Sequence, residues 1–193
     1  MPVFVIVGRG RSALVDKVST IFFPRDFLGL LRIIEERYGL RYPSLKELFN
    51  GREIEPLKLL EEVLQLLRFL MKRSSELPRS YFFAVMPKDF SDVASLICGG
   101  ASSMTIPFGE GTYKLVGGFG RAELYVNEKR VRELREGEEL ELGTVKVKVF
   151  TRPAYNAVAG PLKTLLTAAL IASREGLRLK IATSPVNSST KLR

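Results

Sequence analysis

The sequence predicts an α/β or α+β fold, with a mixed sheet flanked by helices and an inserted antiparallel β subdomain. Short apolar runs at 2–8 and 79–87 have the composition of buried strands, and they alternate with segments of helical periodicity. Residues 104–151 are rich in glycine and in short alternating runs, which is typical of β-hairpins. We therefore expect one α/β domain from 1–103 and 152–185, a β-hairpin subdomain at 104–151 and a flexible basic tail at 186–193.

Capping signals predict two helices in the first part of the chain. Asp26 can cap a helix that ends at about Tyr38, because Gly39 supplies the residue that commonly follows a helix. Ser44 and Glu47 have the spacing of a capping box, which predicts a second, short helix.

Proline marks the start of two longer predicted helices. Pro56 and Pro161 are each placed at the first helical position, where the missing N–H costs no hydrogen bond. The apolar stripe at 56–74 is wider than one buried face requires, so this helix either belongs to the core or faces a partner. Short helices are also expected at 12–19 and 88–98, and a last strand at 177–183.

The net charge of +9 is concentrated at one end of the chain. Residues 144–193 hold nine basic side chains and one acid, whereas 1–143 hold 21 basic and 20 acidic side chains. Such asymmetry indicates an anionic partner: nucleic acid, a phosphorylated ligand or an acidic protein face.

Two of these basic residues are expected to have partners. A two-residue turn of type II′ at Gly143 and Thr144 would place Glu141 opposite Lys146 and Glu139 opposite Lys148. A second tight hairpin is predicted at 124–131, with its turn at Asn127 and Glu128. The better candidates for binding an anion are then Arg152, Lys163, Arg174, Arg178 and Lys180.

The absence of histidine and the single cysteine, Cys98, exclude many chemistries. Histidine-dependent catalysis, imidazole zinc sites, thiolate clusters and an internal disulfide are all impossible. We expect no cofactor and no metal, although Mg²⁺ held by carboxylates remains compatible with the composition. The sequence has no evident signal peptide or membrane span, which predicts a cytoplasmic protein, and its scarcity of glutamine and asparagine is typical of thermophiles.

The first glycine-rich loop follows the first predicted strand. The segment from Phe4 to Ala13, with Gly8 and Gly10, resembles the dinucleotide-binding fingerprint of Rossmann domains, which implies a pyrophosphate at a helix N-terminus. A looser alternative is a phosphate site lined by Arg9, Arg11 and Ser12. The other alternative is a hairpin turn with solvated arginines.

The second glycine-rich loop runs from Gly117 to Arg121. It is similar to the glycine-rich loop of the ferredoxin-like proteins that process CRISPR repeat RNA, although the histidine common in that family is missing. The resemblance implies backbone amides that follow a phosphate chain, with Phe119 stacking on a base and Arg121 beside it. The alternative is that these glycines only serve turns and bulges.

These observations predict a non-enzymatic protein that binds RNA or a nucleotide-like phosphate. Two alternatives stay open: an interaction subunit or homo-oligomer that uses the apolar 54–71 helix or the β subdomain, and a histidine-free enzyme acting on a phosphorylated substrate. The predicted binding residues are Gly8, Arg9, Gly10, Arg11, Ser12, Phe119, Arg121, Arg174, Arg178 and Lys180.

Overall fold

The computed structural model describes residues 2–8, 15–88 and 103–182, which divide into two compact units. Unit one comprises Met1–Phe23, Leu31–Lys72 and Val158–Arg193, and unit two comprises Pro24–Leu30 and Arg73–Ala157. In chain order the elements are β1 (Pro2–Gly8), β2 (Val15–Phe22), α1 (Phe27–Tyr38), α2 (Pro43–Phe49), α3 (Pro56–Arg73), β3 (Ser80–Pro87), β4 (Ser103–Phe108), β5 (Gly111–Gly118), β6 (Arg121–Val126), β7 (Lys129–Glu133), β8 (Glu139–Leu142), β9 (Val145–Arg152), α4 (Ala154–Glu175) and β10 (Arg178–Ala182).

The fold is α+β, which is one of the two predicted classes. A mixed sheet would contain parallel strand pairs, and this part of the prediction is wrong for the part of the chain described. The three sheets run β10-β1-β2, β3-β9-β8 and β4-β5-β6-β7, and each strand pair in them is antiparallel. The predicted helix at 12–19 is also wrong, since β2 begins at Val15. The connection from β1 to β2 is too short for the crossover of a dozen or more residues that a parallel pair requires.

The first two helices confirm one predicted helix end and correct one predicted cap. Gly39 has a φ of 69° and its N–H donates to the Glu35 carbonyl, so it ends α1 as expected. Ser44 does not cap α2, because the Glu62 carboxylate of α3 accepts the Ser44 and Leu45 N–H groups at 3.0 and 2.9 Å. Sequence reasoning missed this cap because its acceptor lies on another helix.

The two proline-led helices differ. Pro56 does open α3, and one face of this helix is buried while Leu57 and Met71 are exposed, so the choice between a core helix and a partner-facing helix stays open; the buried set is Pro56, Leu59, Val63, Leu66, Leu67 and Leu70. Pro161 instead lies inside α4, which begins at Ala154. The Ala157 N–H donates to the Pro153 carbonyl at 3.1 Å, so a first turn forms well before Pro161.

Two sheets of unit two bury one shared apolar core. The four-stranded sheet and the β3-β9-β8 sheet both contribute to it, and the backbone of Ser80 forms a bridge with Phe119 where they meet. The alternation of strand residues directs every second side chain inward. The buried members are Phe83, Leu115, Ala122, Leu124, Leu134, Leu140, Leu142, Val147 and Val149.

The register of the first predicted hairpin is confirmed, and so is the turn of the second, in which a bulge between Leu124 and Tyr125 shifts the later pairing. Glu139 pairs with Lys148 and Glu141 with Lys146, and Gly143 has a φ of 62°, as a type II′ turn requires. In the second hairpin the central residues Asn127 and Glu128 have φ values of 47° and 65°, the pattern of a type I′ turn.

Tyr42 is the largest fully buried polar side chain of unit one. It is 0% exposed, and its hydroxyl finds no hydrogen-bond partner among the described residues. Burial, and then the carboxylates of Glu35 and Glu62, raise the pKa of this phenol well above its ordinary value. The unpaired hydroxyl therefore lowers the free energy of unfolding even when it is neutral. Ionisation would lower it further, because a buried charge would then lie near two carboxylates.

Replacing Tyr42 with phenylalanine should stabilise the protein, by about 1 kcal/mol at pH 8, because the unpaired hydroxyl is removed. In the wild type the pKa of Tyr42 is higher in the folded state. The free energy of unfolding is therefore independent of this group below a pH of about 10. It falls as pH rises above that value, because the phenol ionises in the unfolded chain before it ionises in the folded protein. Urea unfolding at pH 8 and pH 11 should show a smaller alkaline loss in Tyr42→Phe. Identical losses in the two proteins would contradict this account.

Candidate functional site

The first glycine-rich loop does not have the Rossmann arrangement. Gly8 ends β1 and pairs with Val15 of β2 on one side and with Arg178 of β10 on the other. Because the next described element, β2, is an antiparallel neighbour and not a crossover helix, the hairpin alternative is the one that the described topology matches. Arg9, Gly10, Arg11 and Ser12 lie outside the described residues.

Three of the basic residues of the last quarter are exposed in unit one. Arg178 and Lys180 are exposed on β10 and flank the fully buried Leu179, while Arg174 is exposed at the end of α4. Arg178 Nε lies 3.9 Å from Glu53 Oε1, a weak ion pair. Arg174 and Lys180 form no ion pair within the described ranges.

Lys146 and Lys148 have carboxylate partners, as expected. Both lysines contact Glu139, at 3.8 and 3.5 Å, whereas Glu141 contacts Lys88 at 3.3 Å. The partner of Lys146 is therefore the diagonal glutamate and not the one directly opposite. The two lysines share one carboxylate, so Glu139 offsets only part of their positive charge.

Arg152 also belongs to a closed arrangement. Its guanidinium lies 5.2 Å from the centre of the Phe82 ring, which stacks on Phe150, and Lys148 covers Phe150 at 5.6 Å. Burial lowers the pKa of Arg152. Its cation and these rings already contact one another, so they offer little to a ligand.

The second glycine-rich loop is a tight turn between β5 and β6. Gly120 has a φ of 84° and its N–H donates to the Arg79 carbonyl at 2.9 Å, so this glycine serves the turn. Phe119 is only 6% exposed, and its backbone bridges to Ser80. A ring buried to this extent presents no face to a base. Arg121, in contrast, is exposed.

A shallow recess lies beside this turn, within unit two. Gly118 has no side chain, and a Cβ built there would lie 3.6 Å from the Asp26 Cβ and 3.9 Å from the Arg25 carbonyl oxygen. The glycine thus lets the segment before α1 approach the sheet closely. The recess has a volume of about 10 Å³, room for one water-sized atom, and is lined by Arg25, Asp26, Val116, Gly117, Gly118 and Arg121.

The charges around the recess favour an anion. Arg25 and Arg121 are both exposed, and neither forms an ion pair with any described residue. Asp26 is the one acid of the recess lining, and its carboxylate points at the first turn of α1, where a Cβ on Gly29 would lie 2.2 Å from Asp26 Oδ1. Asp26 also has a left-handed backbone with a φ of 64°, a conformation that costs a non-glycine residue free energy.

The recess belongs to the side of the four-stranded sheet that faces away from the shared core, which we call the outer face. This face is exposed at Lys114 and Arg121, half-buried at Tyr125, and buried at Val116, Gly118 and Glu123. The strand register places Lys114 opposite Tyr125, Val116 opposite Glu123 and Gly118 opposite Arg121. Because the alternate residues Leu115, Ala122 and Leu124 enter the core, these six residues share the outward side. Lys114 is exposed and forms no ion pair with the residues the structure describes.

The acid in the middle of the outer face is neutralised. Arg130 Nε lies 2.8 Å from Glu123 Oε1, and the Tyr125 hydroxyl donates to Glu123 Oε2 at 3.0 Å. Glu123 is 9% exposed. Its charge is therefore paired and largely shielded, and the outer face presents cations at both ends with little opposing charge between them.

Sequence reasoning found Arg121 but missed Arg25, Lys114 and Tyr125. Arg25 is far from Arg121 in the chain, and only tertiary structure brings it to Gly118. Lys114 and Tyr125 had a usable signal, because the alternation of the β5 and β6 residues places them on the same side as Arg121.

Other kinds of site have no support within the described ranges. No group of three or more acidic or cysteine side chains there could hold a metal ion. No helix in the same part of the chain is long and apolar enough to cross a membrane. Comparison of the chain with protein-family models, with curated proteins and with solved structures found no match.

Proposed function

We propose that this protein binds the phosphate groups of RNA on the outer face of unit two. The observation that carries the proposal is the pair of exposed guanidiniums, Arg25 and Arg121, which flank a glycine-lined recess and have no ion pair among the described residues. Guanidinium groups bind phosphate oxygens through paired hydrogen bonds, and both of these groups are open to solvent at the rim of the recess.

A second cationic contact belongs to unit one. Arg178 and Lys180 lie two residues apart on the same exposed side of β10, about 7 Å along the strand. An ion pair as long as that of Arg178 and Glu53 is broken by a competing phosphate at small cost in free energy.

Four expectations from the sequence stay predictions. They are a cytoplasmic location, binding of a free nucleotide, assembly with a partner, and catalysis on a phosphorylated substrate.

The double variant Arg25→Ala/Arg121→Ala should bind RNA about tenfold more weakly, if each surface contact contributes about 0.7 kcal/mol. The measurement is fluorescence anisotropy with a labelled, unstructured single-stranded RNA of about twelve nucleotides. The slope of log affinity against log salt should also become shallower by about 1.4, because two phosphate contacts are lost.

Lys129→Ala/Arg135→Ala is the matched control for this variant. It removes the same charge from exposed positions of unit two that do not line the recess. Equal weakening by both double variants would mean that only net charge matters. A free nucleoside monophosphate that displaces the RNA at equal concentration would favour nucleotide binding instead.

Asp26→Asn should strengthen RNA binding about two- to fivefold, because the carboxylate beside Arg25 and Arg121 opposes the phosphate. Asparagine is among the few residues that tolerate a left-handed backbone, so the turn before α1 should be kept. The same anisotropy titration measures the change, and it should shrink in high salt. Unchanged affinity at low salt would place the phosphate away from the recess.

Arg178→Ala/Lys180→Ala should weaken binding of the RNA about fivefold to tenfold if β10 is the second contact. Arg68→Ala/Lys72→Ala is its control, since both residues are exposed on α3 of the same unit and form no ion pair among the described residues. Wild-type affinity in the β10 variant, with loss in the recess variant, would confine the interface to unit two.

A further inference from the structure

We propose that Tyr125 is a base-stacking platform, and that the protein therefore prefers single-stranded RNA to duplex RNA. This inference rests on the proposed RNA binding and adds the part of the nucleotide that is recognised. Phosphate contacts alone would not distinguish a single strand from a duplex of the same charge.

The hydrogen bond of Tyr125 fixes the orientation of its ring. The hydroxyl reaches Glu123, two residues back on the same strand and on the same side of the sheet. A tyrosine that makes this contact lies along β6 and does not stand upright from it. The side chain is half-buried, so part of the ring remains accessible to solvent.

Cations flank the ring on both neighbouring strands. Lys114 of β5 and Arg130 of β7 are the residues paired with Tyr125 in the sheet register. Arg130 is held by Glu123 at 2.8 Å, so its position is fixed close to the ring. A base stacked on Tyr125 would thus have its flanking phosphates within reach of Lys114, and base–aromatic stacking needs no particular base identity.

The spacing of the outer face suits a chain better than a single nucleotide. Arg121 and Tyr125 are four residues apart on β6, which is about 13 Å of strand. The stacked base and the phosphate at the recess therefore belong to different nucleotides. In a duplex the base faces are already covered by neighbouring pairs, so Tyr125 could not be used without unstacking.

The test compares three labelled probes of equal length: an unstructured single-stranded RNA, the same RNA as a duplex, and an abasic ribose-phosphate chain. The wild type should bind the single strand at least about fivefold more tightly than either of the others. Tyr125→Leu should reduce the affinity for the single strand to that for the abasic chain. Tyr125→Phe keeps the ring and should retain most of the preference.

A spectroscopic readout separates stacking from a general structural effect. The chain has six tyrosines and no tryptophan, so tyrosine emission can be followed directly. Saturation with the single strand should quench part of this emission in the wild type. The quenched part should be missing in Tyr125→Phe, which still binds.

Three results would overturn parts of the account. Equal affinity of the wild type for the single strand and the abasic chain would refute stacking and leave the phosphate site standing. Absence of binding to all three probes at low salt would refute the proposed function itself. Wild-type affinity in Tyr125→Leu, with its fold confirmed by urea unfolding, would also refute the role of Tyr125.

Discussion

The shared apolar core of unit two is the constraint on which the rest of that unit depends. Leu115 and Leu124 are directly paired across β5 and β6, and both are buried in it. Since side chains alternate along a strand, burying these two residues forces Lys114, Tyr125 and Glu123 to the opposite side. A slip of one residue in this register would place lysine and glutamate in the core, so the same apolar contacts that stabilise the unit also define its outer face.

Charge counting alone overstates how much of the basicity is available to a ligand. Lys146 and Lys148 share the single carboxylate of Glu139, and Arg130 pairs with Glu123. The cations that matter are those without such partners in the described ranges, among them Arg25 and Arg121. Two of the most relevant cations thus lie in the nearly neutral first three quarters of the sequence, not in the basic last quarter.

The sequence predicted well those features that depend on neighbouring residues. It did not predict features that depend on contacts between residues far apart in the chain. The turn chemistry of Gly143 and of Asn127 is contained within four residues, so both turns could be derived from sequence, whereas the bulge between Leu124 and Tyr125 was not predicted. The cap of α2 depends on Glu62 of another helix, and the recess depends on Arg25 meeting Gly118. Phe119 gave a misleading signal, because a glycine-flanked aromatic residue can be a buried anchor of the turn as well as an exposed ring.

The outer edge of β10 has a consequence for solubility. Leu179 exchanges both backbone hydrogen bonds with Ile54, at 3.0 and 3.4 Å, so the middle of this edge strand is already occupied. Charged residues at Arg178 and Lys180 border the occupied position on both sides. An edge that is partly paired and bordered by like charges is a poor template for strand addition by another copy. Irrespective of any ligand, these cations help to prevent β10 from seeding aggregation of the folded protein.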